Sequence, residues 1–228
     1  MSEQRIKSGR LIMLQGPSGT GKTSQWRTMV DVKAPFGPGS GKKRLEGFKP
    51  LKGVYASNES KYKSVQDVLN DREWPEGDKF TIKSLDFPLD GEEKMIMKQQ
   101  GASDLMRLFD MLRGGEHEYD FLYWDGPMRW VARLMQYLLS TTTNSKDEKD
   151  GRKAYGLYGR KVRAMLDTIG SLTDPSISKR PVHVICTWGI AVGEDFKGQR
   201  LIGPKIEGKM VTPDDVEYYF DDVLILGS

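Results

Sequence analysis

Gly16-Pro17-Ser18-Gly19-Thr20-Gly21-Lys22-Thr23 follows directly on a short apolar run, Arg10 to Gln15. The octet matches G-x-x-x-x-G-K-[ST] at every defined position. The run before it is too short for a buried helix and is closed by glycine, so it reads as a buried strand. A helix is predicted from Lys22 to about Val32. Strand, glycine-rich turn and helix form the setting in which backbone N–H groups close around phosphate oxygens. The helix N-terminus adds a favourable partial positive charge. Gly16, Pro17, Ser18, Gly19, Thr20, Gly21, Lys22, Thr23 and Ser24 are therefore the candidate nucleotide-binding residues. Lys22 reaches the β- and γ-phosphates in such a loop, and the Thr23 hydroxyl ligates Mg²⁺.

Working outward, the rest of the chain alternates strand and helix signals. Strands are predicted at Gly53–Ser57, Lys79–Leu85, Phe121–Trp124, Val182–Thr187 and Val223–Leu226. Helices are predicted at Ser64–Leu69, at Ser103–Leu112 with Ser103 as cap, at Trp130–Leu139 and at Leu157–Leu172. Glycine-rich Asp195–Lys209 reads as hairpin or loop. This order implies an α/β fold with a mostly parallel central sheet flanked by helices. The expectation is one domain over residues 1–228, with a basic loop inserted at about 34–50 and a polar loop at about 140–156. A second run, Gly37-Pro38-Gly39-Ser40-Gly41-Lys42, resembles the phosphate loop. It is one residue short, lacks a following Ser or Thr, and no strand precedes it, so it reads as flexible loop.

An NTPase needs a carboxylate at a strand end to hold the metal's water shell. Asp125, after the apolar run Phe121-Leu122-Tyr123-Trp124, is the best candidate, so Thr23 and Asp125 form the predicted metal pair. About 100 residues and two predicted strands separate Lys22 from Asp125. That spacing suits P-loop ATPases in which an extra strand stands between these two elements, and suits simple nucleotide kinases and GTPases less well. Hydrolysis also needs a group that orients or deprotonates water. Glu59, just after the second strand, is placed for that role, with Asp86 as a rival. Thr187 ends the fifth strand, where a polar sensor of the γ-phosphate would be useful.

Composition narrows the remaining classes. The 228 residues carry 35 Lys+Arg and 32 Asp+Glu, a net charge of +3. No apolar run approaches the roughly 20 residues a membrane span needs. The polar Met1–Arg10 start argues against a secretory signal. One cysteine, Cys186, and two histidines exclude an internal disulfide and a Cys/His zinc cluster. A cytoplasmic location follows as the expectation. Residues 1–50 hold ten Lys/Arg against three Asp/Glu, so the basic excess is concentrated around the phosphate loop and the inserted loop.

With these pieces placed, nearly the whole chain resembles the phage-encoded RecA-core ATPases, the small Sak-type single-strand annealing proteins. The shared points are Gly16–Thr23, Glu59, Asp125, and the C-terminal order Val184-Ile185-Cys186-Thr187, Glu194-Asp195, Gly203-Pro204-Lys205-Ile206-Glu207-Gly208-Lys209 and Tyr219-Phe220-Asp221-Asp222-Val223. The chain departs from that pattern at Trp188-Gly189, where many members carry a histidine. The resemblance implies a RecA-like fold, ATP hydrolysis with Mg²⁺ in a host bacterial cytoplasm, single-stranded DNA and a single-strand-binding protein as partners, and a homo-oligomer, ring or filament. It also implies a cation supplied to the γ-phosphate by a neighbouring subunit; Lys209 is the first candidate, then Lys205 and Arg200. Two basic clusters are candidate DNA surfaces: Lys42, Lys43, Arg44 and Lys49 near Phe36 and Phe48, and Arg152, Lys153, Arg160, Lys161 and Arg163 with Tyr155 and Tyr158. Cations neutralise phosphates and aromatic rings stack on unpaired bases. Two alternatives stay open at this stage. One is a P-loop phosphotransferase with Arg152–Arg163 as a lid; the other is a nucleotide-binding accessory of phage replication or packaging that does not hydrolyse.

Overall fold

A computed structural model describes residues 8–17, 20–25, 51–57, 80–84, 101–146, 148–194, 200–204 and 216–226. Its centre is a six-stranded sheet. In chain order the strands are β1 (Leu11–Gln15), β2 (Gly53–Ser57), β3 (Phe80–Ser84), β4 (Phe121–Asp125), β5 (His183–Trp188) and β8 (Asp222–Ile225). Their spatial order is β3-β2-β4-β5-β1-β8, and every pairing is parallel. β6 (Ile190–Glu194) and β7 (Arg200–Pro204) form a separate antiparallel pair; β6 lies before the glycine-rich Asp195–Lys209 that reads as hairpin or loop, and of that segment only residues 200–204 are described. Both faces of a parallel sheet are covered, so its strands are near-continuous apolar runs. β4, Phe-Leu-Tyr-Trp-Asp, is buried at all five positions.

Register divides these strands into two faces. Val54, Leu122, Val184 and Leu11 align across the sheet, as do Ala56, Trp124, Cys186 and Met13. These residues share one hydrophobic cluster with the three described helices, α1 (Gly101–Gly114), α2 (Pro127–Thr141) and α3 (Gly151–Ser171). The ring of Phe109 on α1 meets that of Trp124 edge-on at 5.7 Å. The connections β3–α1–β4 and β4–α2–α3–β5 both step across the sheet in the same direction, so right-handed crossovers place their helices on the same face. The opposite face carries the rows Tyr55–Tyr123–Ile185–Ile12 and Ser57–Asp125–Thr187–Leu14.

Several boundaries differ from the sequence reading. α1 begins at Gly101, so Ser103 lies inside the helix and is not its cap. α2 begins at Pro127 and not at Trp130; a proline is compatible with the first helical position, where its missing N–H has no intrahelical partner. α3 begins six residues before Leu157, because Asp150 caps it by accepting the Lys153 N–H at 2.9 Å. The polar loop is therefore confined to 142–150 between these helices. Its first helical turn, Gly151-Arg152-Lys153, is exposed, and an exposed turn carries no apolar period to read. The segment after the phosphate loop opens as a 3-10 turn, Lys22–Ser24, with the Gln25 N–H donating to the Lys22 carbonyl at 3.1 Å. The remainder of the predicted helix to Val32, and the helix predicted at Ser64–Leu69, lie outside the described residues.

Candidate functional site

The phosphate-loop motif leaves the C-terminal end of β1. The Gly16 N–H donates to the Trp188 carbonyl at 3.3 Å, and the Thr20 hydroxyl donates to the Pro17 carbonyl at 2.9 Å. Gly21 stands at φ +79°, in the left-handed region that glycine adopts without steric cost. Immediately after it, the Lys22 ammonium donates to the Gly16 carbonyl at 2.7 Å and the Pro17 carbonyl at 2.6 Å. The cation therefore sits over the loop it belongs to. Thr23 is half-buried in the 3-10 turn. Ser18 and Gly19 lie outside the described residues.

Asp125 ends β4 and is only 2% exposed. Its Oδ1 accepts the Thr187 hydroxyl at 2.5 Å and its Oδ2 accepts the Tyr55 hydroxyl at 2.5 Å. Thr187 in turn accepts the Gly126 N–H at 3.0 Å. Gly126, at φ +83°, turns the chain from β4 into α2. Among the described residues no Lys, Arg or His makes an ion pair with Asp125. A buried carboxylate normally has a cation or a metal as partner. Two hydroxyl donors occupy one site on each oxygen and leave both the remaining lone pairs and the charge unmet. The donor set suits Mg²⁺, which uses one or two carboxylates together with substrate phosphates and retained waters. Among the described residues no cluster of three or more His, Cys, Asp or Glu forms a closed metal cage.

Two tyrosines tie this carboxylate to the loop. Tyr55 and Tyr123 are neighbours on β2 and β4, both fully buried, with rings stacked 5.9 Å apart at 11°. Tyr55 donates to Asp125, and the Tyr123 hydroxyl donates to the Lys22 carbonyl. Burial, then the Asp125 carboxylate and then Cys186 raise the Tyr123 pKa well above its ordinary value, so its hydroxyl remains a donor. β5 stands between β4 and β1. This is the intervening strand anticipated from the Lys22–Asp125 spacing. It comes from later in the chain, while the two strands lying between these residues in sequence, β2 and β3, fall on the far side of β4. With a spacing of about 4.8 Å per strand, β1 and β4 lie about 10 Å apart, and the Tyr123 hydroxyl reaches the Lys22 carbonyl in the turn that follows the loop after β1.

Sequence reasoning missed Tyr55, Tyr123 and Gln15. Gln15 is fully buried at the end of β1, and its amide Nε2 donates to Glu217 Oε1 at 2.7 Å, fastening the start of the loop to the C-terminal segment. The only available signal for the tyrosines was alternation: Tyr55 and Ser57 share a face, as do Tyr123 and Asp125. The structure brings Lys22, Thr23, Asp125 and Thr187 to one edge of the sheet. Glu59, Asp86, Lys42, Lys43, Arg44, Lys49, Lys205 and Lys209 lie outside the described residues, and Arg200 is described only as a position on β7. Trp188 is buried against Phe220, ring centroids 6.5 Å apart, so the residue after the fifth strand's Thr187 belongs to the core. Asp221 of the Phe-Asp pair accepts the Leu11 N–H at 2.7 Å.

The second basic cluster is divided by the helical period. Arg152, Lys153, Arg160, Lys161 and Arg163 are exposed on α3, whereas Tyr158 is fully buried and Tyr155 packs against the core. The expected stacking of bases on Tyr158 is therefore corrected, while Tyr155 is half-buried. Tyr158 belongs to the stripe that includes Ala154, Val162 and Leu166, and a fully buried ring offers no face to a base.

No protein-family model matches this chain, and no curated protein matches it. Among solved structures it is similar to the assembled ATPase EscN from the type III secretion system of enteropathogenic E. coli, with a TM-score of 0.52 at 12% identity. The match covers 95% of this chain and 42% of that one, so the chain spans less than half of EscN's length. Together with the parallel sheet and its strand order, this likeness establishes the fold of the chain as that of a RecA-like P-loop NTPase.

Proposed function

We propose that the chain binds and hydrolyses ATP with Mg²⁺ and acts on single-stranded DNA in phage-type recombination, by binding or annealing strands. The observation that carries the ATPase part is the buried Asp125 carboxylate, held by hydroxyls alone and tied through Tyr123's strand to the loop of Lys22. Lys22 would exchange the carbonyls of Gly16 and Pro17 for phosphate oxygens. Thr23 and Asp125 would hold the metal, and Glu59 would orient the attacking water. Lys209 of a neighbouring subunit would offset charge at the γ-phosphate, in a homo-oligomer. Bound Mg²⁺-ATP supplies the phosphoanhydride bond and the neutralising charge. The interposed β5 favours this reading over a simple nucleotide kinase.

The DNA part rests on the Sak-type resemblance and on the exposed cations of α3. At 100° per residue, Arg152, Lys153, Arg160 and Arg163 fall within one third of the helix circumference. Such a row neutralises a phosphate backbone without reading bases. A single-strand-binding protein would be its working partner. Phosphate release measured with and without single-stranded DNA, then annealing of complementary strands at rising salt, tests both parts. Stimulated turnover and annealing that weakens steeply with salt are the expected results. Radiolabel transferred to a nucleoside monophosphate would instead identify a phosphotransferase. Negligible turnover under all conditions would identify a non-hydrolysing module.

A further inference from the structure

We propose that Tyr55 is a positioning residue for the metal-holding carboxylate, and that with Thr187 it sets the Mg²⁺ affinity of the site. This inference rests on the ATPase reading above. Asp125 has two oxygens, and each receives one hydroxyl at 2.5 Å, from Tyr55 on one neighbouring strand and from Thr187 on the other. The carboxylate is thus gripped from both sides of β4 and cannot rotate about its side chain without losing a short, charge-assisted hydrogen bond. Neither donor carries charge, so the grip orients the carboxylate without competing with a cation for it.

The two donors are themselves anchored. Thr187 is fixed by the Gly126 N–H at 3.0 Å. Tyr55 is fully buried and stacked on Tyr123, whose own hydroxyl holds the Lys22 carbonyl. Parallel rings on adjacent strands therefore set the carboxylate and the phosphate loop from one rigid element. Partners that orient a metal ligand in this way typically change metal affinity by about 10- to 100-fold when removed. Tyr55→Phe keeps the ring and its stacking and removes only the hydroxyl.

The test titrates Mg²⁺ into the full chain with a non-hydrolysable ATP analogue, and measures the analogue's affinity separately in chelator. Tyr55→Phe should raise the Mg²⁺ concentration for half-saturation about 10-fold, with metal-free analogue affinity within about 2-fold of wild type. Thr187→Val should shift Mg²⁺ in the same direction, and serves as the second variant if Tyr55→Phe does not fold. Wild-type Mg²⁺ dependence in Tyr55→Phe overturns the inference and leaves the ATPase reading standing. Equal loss of affinity with and without Mg²⁺, accompanied by early melting, also overturns it, because that is the signature of a merely structural tyrosine. A wild-type protein that binds no nucleotide at any Mg²⁺ concentration overturns the ATPase reading and this inference together.

Discussion

The two edges of the sheet use carboxylates in opposite ways. At the edge where strands begin, Asp120 accepts the Lys52 N–H at 2.9 Å and Asp221 accepts the Leu11 N–H at 2.7 Å. Asp222 pairs with Arg10 at 2.9 Å. His183 there accepts the Arg10 N–H through Nδ1 at 3.1 Å. These groups satisfy backbone donors at strand starts, or meet a cation already in the chain. At the edge where strands end, Asp125 receives hydroxyls and has no cation among the described residues. The first arrangement closes the fold; the second is the one that the proposed Mg²⁺ would complete. An acidic residue at a strand terminus therefore points to a metal only when it is buried and its partners leave its charge unbalanced.

This contrast can be broken by experiment. The largest effect is expected from Lys22→Ala, which should lower ATP turnover on the order of 10²- to 10³-fold while the melting temperature stays close to wild type. Unchanged turnover in a clean preparation would remove the site altogether. Next comes a pair of carboxylate deletions compared by urea unfolding and Mg²⁺ titration. Asp125→Ala strands the Tyr55 and Thr187 hydroxyls in the interior and should destabilise by about 1–3 kcal/mol, with loss of Mg²⁺ dependence. Asp222→Ala at the other edge should cost about 0–1 kcal/mol and leave Mg²⁺ dependence intact, since its pair with Arg10 is 56% and 35% exposed and solvent screens it. Matching effects from the two deletions would erase the distinction between the edges.

The smallest effect concerns pH. His117 and His183 both have pKa values lowered from 6.5, chiefly by burial. Each accepts a backbone N–H through Nδ1, from Tyr119 and from Arg10 respectively, so protonating that nitrogen breaks a hydrogen bond. The folded state then binds fewer protons than the unfolded chain. Their stabilising share is complete above about pH 6.5 and is lost as pH falls through the depressed values. Urea midpoints should drop between pH 7.5 and 5.5, and His183→Gln should flatten that slope. Equal slopes in the two proteins would assign the pH sensitivity to other groups.

Legibility followed the locality of the signal. The phosphate loop is a local motif with glycines at set offsets, and it could be read before any strand was placed. Asp125 was readable because four large apolar residues precede it. The starts of α2 and α3 were not, because Gly126-Pro127 also suits a plain turn and the first turn of α3 faces water. Tyr158 shows the opposite failure: an aromatic between cations suggests stacking, but the helical period places it on the apolar stripe. Trp188 breaks the pattern of the Sak-type resemblance and Phe220 keeps it, yet in space the two are a packed pair.

The amino-acid order by itself determined the alternation of elements, the motif at Gly16–Thr23 and the strand-end position of Asp125, because each depends on residues within a few positions of one another. Tertiary structure decided that β5 lies between β1 and β4, and that Tyr55, Asp125 and Thr187 meet across three strands. Strand neighbours and register arise from which faces can be buried together over the whole sheet. The hydroxyl grip on Asp125 joins residues 70 and 62 positions away from it, and no local pattern carries that information.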